Sequence, residues 1–409
     1  MSNNSSKSIK RIYLDYASGA PVLPSVLKVV QKNNAEFFGN PSSIHKDGAH
    51  AKRALQTARQ EIAKHLDAHA EEIIFTGSGT EANALALFGI SNYAKKLPDF
   101  VGKKPHIITT NIEHPSILEN CKKLEEQGFD VTYLSVEKNG QISLKQIKES
   151  IRTETILISV AYVNNEIGTI FPVKEIAKII RLYKKQNYSI EKNIYPLLHI
   201  DACQAISYLD TGVERLGVDL MSWNGSKIGS TRGIGCLYVR RGSPIESVYS
   251  GGGQEFGLRS GTENLAGIIG LSLAMSESRK KSEKENKRLL AIRDFFILKI
   301  KKQFPLVRIN GDLGLRVSNN INISFQNFSS ELLVLELDAK GISVSAGSAC
   351  GSVSKNSSHV LEALYGKDDE KKWGTIRISL GVDTKTPDIN LLLKTLCIIF
   401  EKYRKEGII

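Results

Sequence analysis

Cysteine is scarce in this chain and unpatterned: there are five in 409 residues, at positions 121, 203, 236, 350 and 397, with no CxxC spacing. That excludes a disulfide framework and the usual cysteine-rich metal sites, so no metal is expected and a reducing compartment is. Long apolar runs are missing too, and no segment reads as a membrane span. The opening stretch Met1-Ser2-Asn3-Asn4-Ser5-Ser6-Lys7 has neither the apolar core of a signal peptide nor the arginine-rich pattern of a transit peptide. A soluble, cytoplasmic protein is expected. Internal repeats and low-complexity tracts are absent, which excludes solenoids and arrays.

What is present is a chain with 41% hydrophobic residues, ample for a large core and two domains. The formal net charge of +12 suits an acidic partner, whether a protein surface or RNA, and equally suits a general compositional bias. No Lys/Arg block is dense enough to form a nucleic-acid patch, so direct nucleic-acid binding is not expected.

Strand and helix patterns alternate through the first two thirds. Ile73-Ile74-Phe75 precedes a glycine turn and a helix from about Thr80 to Phe88. Pairs then follow at 106–110 with 116–127, 131–135 with 143–151, and 156–160 with 173–185. This predicts an α/β fold with a mainly parallel sheet flanked by helices. The polar stretch between Tyr183 and Pro196 reads as a surface insertion. A long charged segment from Leu265 to about Lys302 reads as a helix leading into a smaller α+β domain, whose helices fall at 331–339, 357–365 and 390–405. The predicted division is 16–264 for the large domain and 1–15 with 265–409 for the small one.

Two apolar runs carry the chemistry. Leu197, Leu198 and Ile200 stop at Asp201; Val218, Leu220 and Met221 stop just before Trp223-Asn224-Gly225-Ser226-Lys227. Read as buried parallel strands, they bring Asp201, Gln204 and Lys227 to the crevice beyond the strand ends. A lysine that loses its proton through desolvation can condense with an aldehyde, and pyridoxal 5'-phosphate (PLP) needs such an amine together with a carboxylate near its pyridine nitrogen. On these two residues alone, a turn-capping Asp201 and a solvated Lys227 fit better. Gly77-Ser78-Gly79-Thr80-Glu81, between a strand and a helix, suits an anion such as a phosphate, or is an ordinary helix cap. Cys350 sits in the small, polar run Ser345-Ala346-Gly347-Ser348-Ala349-Cys350-Gly351-Ser352. Cys121, Cys203, Cys236 and Cys397 read as core or neutral residues.

Several blocks occur in order: Asn40-Pro41-Ser42-Ser43-Ile44-His45, Glu113-His114, Val163-Asn164-Asn165-Glu166-Ile167-Gly168, Arg259-Ser260-Gly261-Thr262 and Ser348-Ala349-Cys350. With them the chain resembles the NifS-like cysteine desulfurases of the class V aminotransferase superfamily, over nearly its whole length. The resemblance implies PLP fold type I and conversion of L-cysteine to L-alanine, with a persulfide on Cys350. It implies Lys227 as the Schiff-base lysine, His114 stacked on the cofactor ring and shuttling protons, and Asp201 and Gln204 as ring contacts. It further implies Gly79 and Thr80 at the phosphate, with Thr262 arriving from the second subunit of a homodimer, and Asn165 and Arg377 on the substrate carboxylate. The persulfide would pass to an acceptor such as an iron–sulfur scaffold or a tRNA-thiolation enzyme.

The chain departs from the family pattern where Asn224-Gly225-Ser226-Lys227 stands for the usual Ser-x-His-Lys. Asn224 and Ser226 retain hydrogen-bond donors for the phosphate. Selenocysteine lyase or aminotransferase activity on the same lysine remains open, as does a non-catalytic sulfur-assembly scaffold.

Overall fold

The computed structural model describes residues 11–187, 194–347, 358–370 and 372–407. Two compact units emerge, one of Gly19–Asn165 with Thr169–Glu283, the other of Met1–Ser18, Glu166–Gly168 and Lys284–Ile409. The boundary between Glu283 and Lys284 falls inside the 39-residue helix Leu265–Gln303.

The first unit is built on a seven-stranded sheet. Its strands are β1 (Ile73–Thr76), β2 (His106–Thr110), β3 (Asp130–Leu134), β4 (Thr155–Ala161), β5 (Leu197–Asp201), β6 (Leu220–Asn224) and β7 (Gly235–Val239). They lie in the order β1-β7-β6-β5-β4-β2-β3. The pairs from β3 through β2, β4 and β5 to β6 are parallel, and β7 runs antiparallel to both β6 and β1. Strand-helix alternation explains the parallel part, since a parallel return needs a crossover. No crossover helix separates β6 from β7, only a short turn that carries Lys227, so β7 returns antiparallel. Every residue of β1, β2, β4, β5 and β7 is buried, which is why these strands read as continuous apolar runs instead of alternating ones.

The helix Gly79–Lys95 extends further than its sequence pattern suggested and lays Ala82, Leu85, Ala86 and Ile90 into a core with Ile107, Ile156, Leu157 and Leu197. Each large side chain buried there stabilises the unit by roughly 1.5–3 kcal/mol. This packing fixes the N-terminus of the helix against the C-terminal ends of the central strands.

The second unit holds a four-stranded antiparallel sheet in the order Ser345–Ala346, Trp373–Ser379, Asn320–Gln326, Arg308–Ile309. The helices Ser330–Ala339 and Thr386–Lys405 belong to the same unit, and Phe304, Phe325, Phe328 and Phe400 form an aromatic cluster. Ile12–Tyr13 pairs in parallel with Ile342–Ser343. The short strands at 308–309 and 345–346 gave no periodic signal in the sequence because two residues cannot display one.

Candidate active site

Asp201 is the last residue of β5 and lies in register with Ser222 of the adjacent β6, whose end at Asn224 opens into the tight turn Gly225–Lys227. The acid is 9% exposed. Its Oδ1 accepts the Cys203 N–H at 2.9 Å, and its Oδ2 accepts the Asn83 side-chain amide at 2.8 Å. Turn capping and a buried acid at the strand ends therefore occur in one residue. Burial holds the Cys203 thiol well above its ordinary pKa, Asp201 pushes it further, and the Lys227 charge opposes the rise. Lys227 is thus within electrostatic reach of the Asp201–Cys203 turn.

The two residues that depart from the family pattern are paired with each other. The Ser226 hydroxyl donates to Asn224 Oδ1 at 3.0 Å, and Asn224 Nδ2 donates to Cys203 Sγ at 3.6 Å. Gly79 completes this group. A Cβ there would come within 2.8 Å of Cys203 Sγ and 3.0 Å of Asn224 Nδ2, so only glycine lets the helix start come this close to the strand ends. The Ser78 hydroxyl oxygen caps the helix by accepting from the Glu81 N–H at 3.1 Å, while Thr80 is exposed on the first turn.

Glu81 ties this loop to the Arg259-Ser260-Gly261-Thr262 block. One of its oxygens accepts the Gly77 N–H at 2.7 Å, the other the Arg259 Nε–H at 2.7 Å. Thr262 is exposed, and it lines a cavity of about 120 Å³ together with Thr76, Gly77 and Arg259.

His114 is the N-cap of the helix Pro115–Glu126, its Nδ1 accepting the Ser116 N–H at 3.1 Å. Next to it, Glu113 is fully buried, and burial pushes its carboxyl up to about 8; the Ala161 amide and the Thr110 hydroxyl, at 2.8 Å, oppose that rise and Asp201 adds to it. Because an unfolded glutamate ionises near 4.5, the native state holds one extra proton between 4.5 and about 8. Stability from this group is therefore complete below the lower value and lost as pH rises through the upper one. Glu113→Gln cannot ionise and keeps an oxygen for Thr110. Its melting temperature should gain on the parent's between about pH 5 and about pH 8, and parallel curves would show that Glu113 does not titrate there.

In the second unit Arg377 is 1% exposed on the strand Trp373–Ser379. Its Nη2 donates to Asp15 Oδ1 at 3.0 Å and to Ser18 Oγ at 2.6 Å, which fixes the guanidinium. Cys350 lies outside the described residues. The described residues on either side of its segment, Gly347 and Ser358, both stand at the buried carboxylate of Glu166: Ser358 Oγ donates to Oε2 at 2.5 Å, and a Cβ on Gly347 would lie 3.5 Å from the same oxygen.

Asp201, Asn224 and Gly79 are thus brought together around Cys203, with Ser226 held on Asn224 and Lys227 ending the same turn. Gln204 follows in the same turn, half-buried, and Asn165 is half-buried at the end of its own segment. Sequence reasoning missed Asn83 and Ser116, whose amide and hydroxyl meet at 2.9 Å between Asp201 and His114. The available signal was an asparagine one turn past Thr80, inside the apolar stripe of Ala82, Leu85 and Ala86.

The family description "Aminotransferase class-V" matches residues 12–392, and the chain belongs to this PLP-dependent family. Within it the chain stands among the cysteine desulfurases. It is 41% identical over 395 residues to the cysteine desulfurase IscS of Dictyoglomus turgidum, covering 97% of this chain and 96% of that one. A solved NifS-like protein superposes with a TM-score of 0.85 at 32% identity, covering 96% of this chain and 99% of the other. A structure described as SspA in complex with cysteine gives 0.75 at 33% identity, covering 90% and 98%.

Proposed function

We propose that this chain binds PLP through Lys227, converts L-cysteine to L-alanine, and carries the released sulfur as a persulfide on Cys350. The observation that carries this reading is the placement of a buried Asp201 and of Lys227 at the ends of adjacent parallel strands, beside a helix start that only Gly79 allows. Those residues fit PLP: a carboxylate for a protonated ring nitrogen, an amine for the aldehyde, and helix-terminal N–H groups for a phosphate. Gly79, Thr80, Asn224, Ser226 and Thr262 are the phosphate candidates, and Gln204 and His114 the ring candidates. When bound, PLP supplies an electron sink for the bonds at the substrate Cα.

The chain's own groups do the rest. Arg377 and Asn165 hold the substrate carboxylate, and a planar guanidinium already fixed by Asp15 and Ser18 does so at little cost in ordering. Lys227 removes the Cα proton, and the His114 ring relays protons. The Cys350 thiolate attacks the substrate sulfur, so that an S–S bond forms as the C–S bond breaks and its electron pair stays with the carbon that becomes the alanine methyl. The other thiols are poor nucleophiles. Burial pushes Cys121 up to about 12 and holds Cys203, Cys236 and Cys397 above their ordinary value.

The chain acts as a homodimer in the cytoplasm, with Thr262 serving the neighbouring subunit's phosphate site, and delivers sulfur to an iron–sulfur scaffold or a tRNA-thiolation enzyme. Incubating the PLP-loaded protein with L-cysteine and a reductant should yield equimolar alanine and sulfide from a particle of twice the 45.1 kDa chain mass. Pyruvate in place of alanine, or no product, would refute the reaction, and a monomer would refute the shared site.

A further inference from the structure

His114 and Asp201 are joined through a side chain that neither the motif blocks nor the family resemblance singles out. Asn83 lies in the helix Gly79–Lys95 and is 1% exposed. Its Nδ2 uses both hydrogens, one to Asp201 Oδ2 at 2.8 Å and one to Ser116 Oγ at 2.9 Å. The amide cannot be turned over, since that would aim Oδ1 at a carboxylate that only accepts. Oδ1 is left buried without a hydrogen-bond partner. Leaving a buried acceptor unmatched is costly, so the amide is oriented for Asp201 and Ser116 at the expense of its own oxygen.

The consequences continue into the imidazole. The Ser116 backbone N–H can only donate, and it points at His114 Nδ1, 3.1 Å away. Ser116 Oγ stands 2.8 Å from the same nitrogen. Because Nδ1 already accepts from that backbone N–H, the hydroxyl can only donate to it, while its oxygen accepts from Asn83. Two donors then converge on Nδ1, which must be unprotonated, and a neutral ring carries its hydrogen on Nε2.

We propose that Asn83 is a positioning residue that aims the Asp201 carboxylate with one amide hydrogen and with the other holds the Ser116 hydroxyl as the second donor to His114 Nδ1, reinforcing the Nε2–H tautomer. The proposal deepens the reading of His114 and Asp201 given above and rests on it for its bearing on PLP. One small amide thus bears both on the acid that would pair with the cofactor's ring nitrogen and on the proton-bearing edge of the histidine.

The test uses full-length protein with ¹⁵N-labelled histidine, with and without PLP, His114 being assigned among the eight histidines by its loss in His114→Gln. In the parent, His114 should show an unprotonated Nδ1 and a protonated Nε2. Asn83→Leu, close in volume but without donors, should shift the His114 Nδ1 resonance as the Ser116 hydroxyl loses its orientation, and should weaken PLP binding about tenfold, the loss of one hydrogen bond to a charged group. Ser116→Ala should alter the ring signature and leave PLP affinity at the parent level, a separation that a purely structural role would not produce. A parent-like ring signature in both variants, or parent-like PLP affinity in Asn83→Leu, would overturn the proposal. Should Asn83→Leu fail to fold, Asn83→Ser, which can donate only once, must still disturb one of the two readouts. Asp201→Ala separates the two claims: if it keeps full PLP affinity, the assignment of Asp201 fails while the ring result stands.

Discussion

Lys227→Ala should leave a folded protein that no longer retains PLP covalently and has lost cysteine turnover by on the order of a thousandfold or more. Lys227 ends the turn after β6, with charge reaching the Asp201–Cys203 turn, and among the described residues no other lysine follows a central strand in this way. Borohydride reduction of the loaded parent followed by peptide mapping should place the pyridoxyl group on the Lys227 peptide alone. In the variant PLP should bind, if added in excess, only in a form that dialysis removes, because the phosphate and ring contacts remain. A label on a different lysine, or a variant that keeps its cofactor through dialysis after reduction, would remove Lys227 from the role. The melting temperature should barely move, since a half-buried lysine in a tight turn contributes little packing.

Cys350→Ala should separate the two halves of the reaction. Removing the thiolate removes the only group proposed to take the sulfur, so alanine and sulfide formation should fall by roughly three orders of magnitude or more. Exchange of the cysteine Cα hydrogen with deuterated solvent needs Lys227 and the bound cofactor but no sulfur nucleophile. It should persist at a rate near the parent's, along with unchanged PLP affinity. Serine in place of Cys121, Cys203, Cys236 or Cys397 should keep most of the activity, since burial already holds these thiols neutral. Cys203 is the informative control among them, because it lies against Asn224 and Asp201. If Cys203→Ser abolished sulfur transfer while Cys350→Ala did not, the nucleophile would be the thiol beside the acid.

Much of the site was legible because buried strands announce their own ends. The apolar runs that stop at Asp201 and before Asn224 end where β5 and β6 end, and ligand groups gather there in open α/β sheets. Less legible was the antiparallel β7, since an apolar strand looks the same in either direction and only the short turn after β6 sets its course. Reading Asp201 as either a cap or a site residue posed a false choice, for one oxygen caps a local turn while the other faces Asn83. Asn83 stayed hidden for a different reason. It lies on the buried stripe of a helix, where a sequence shows a polar residue among apolar ones but not the two acceptors that hold it. The pairing of Asn224 with Ser226 was invisible as well, because it depends on side-chain direction across one turn.

The central claim, that sulfur leaves cysteine onto Cys350, is tested most directly by locating the sulfur. PLP-loaded protein incubated with L-cysteine, stripped of small thiols, alkylated and digested without reductant should carry one extra sulfur atom on the peptide containing Cys350, in amounts that match the alanine released. An extra sulfur on the Cys203 peptide, or alanine formed in full with no sulfur held on any cysteine, would contradict it.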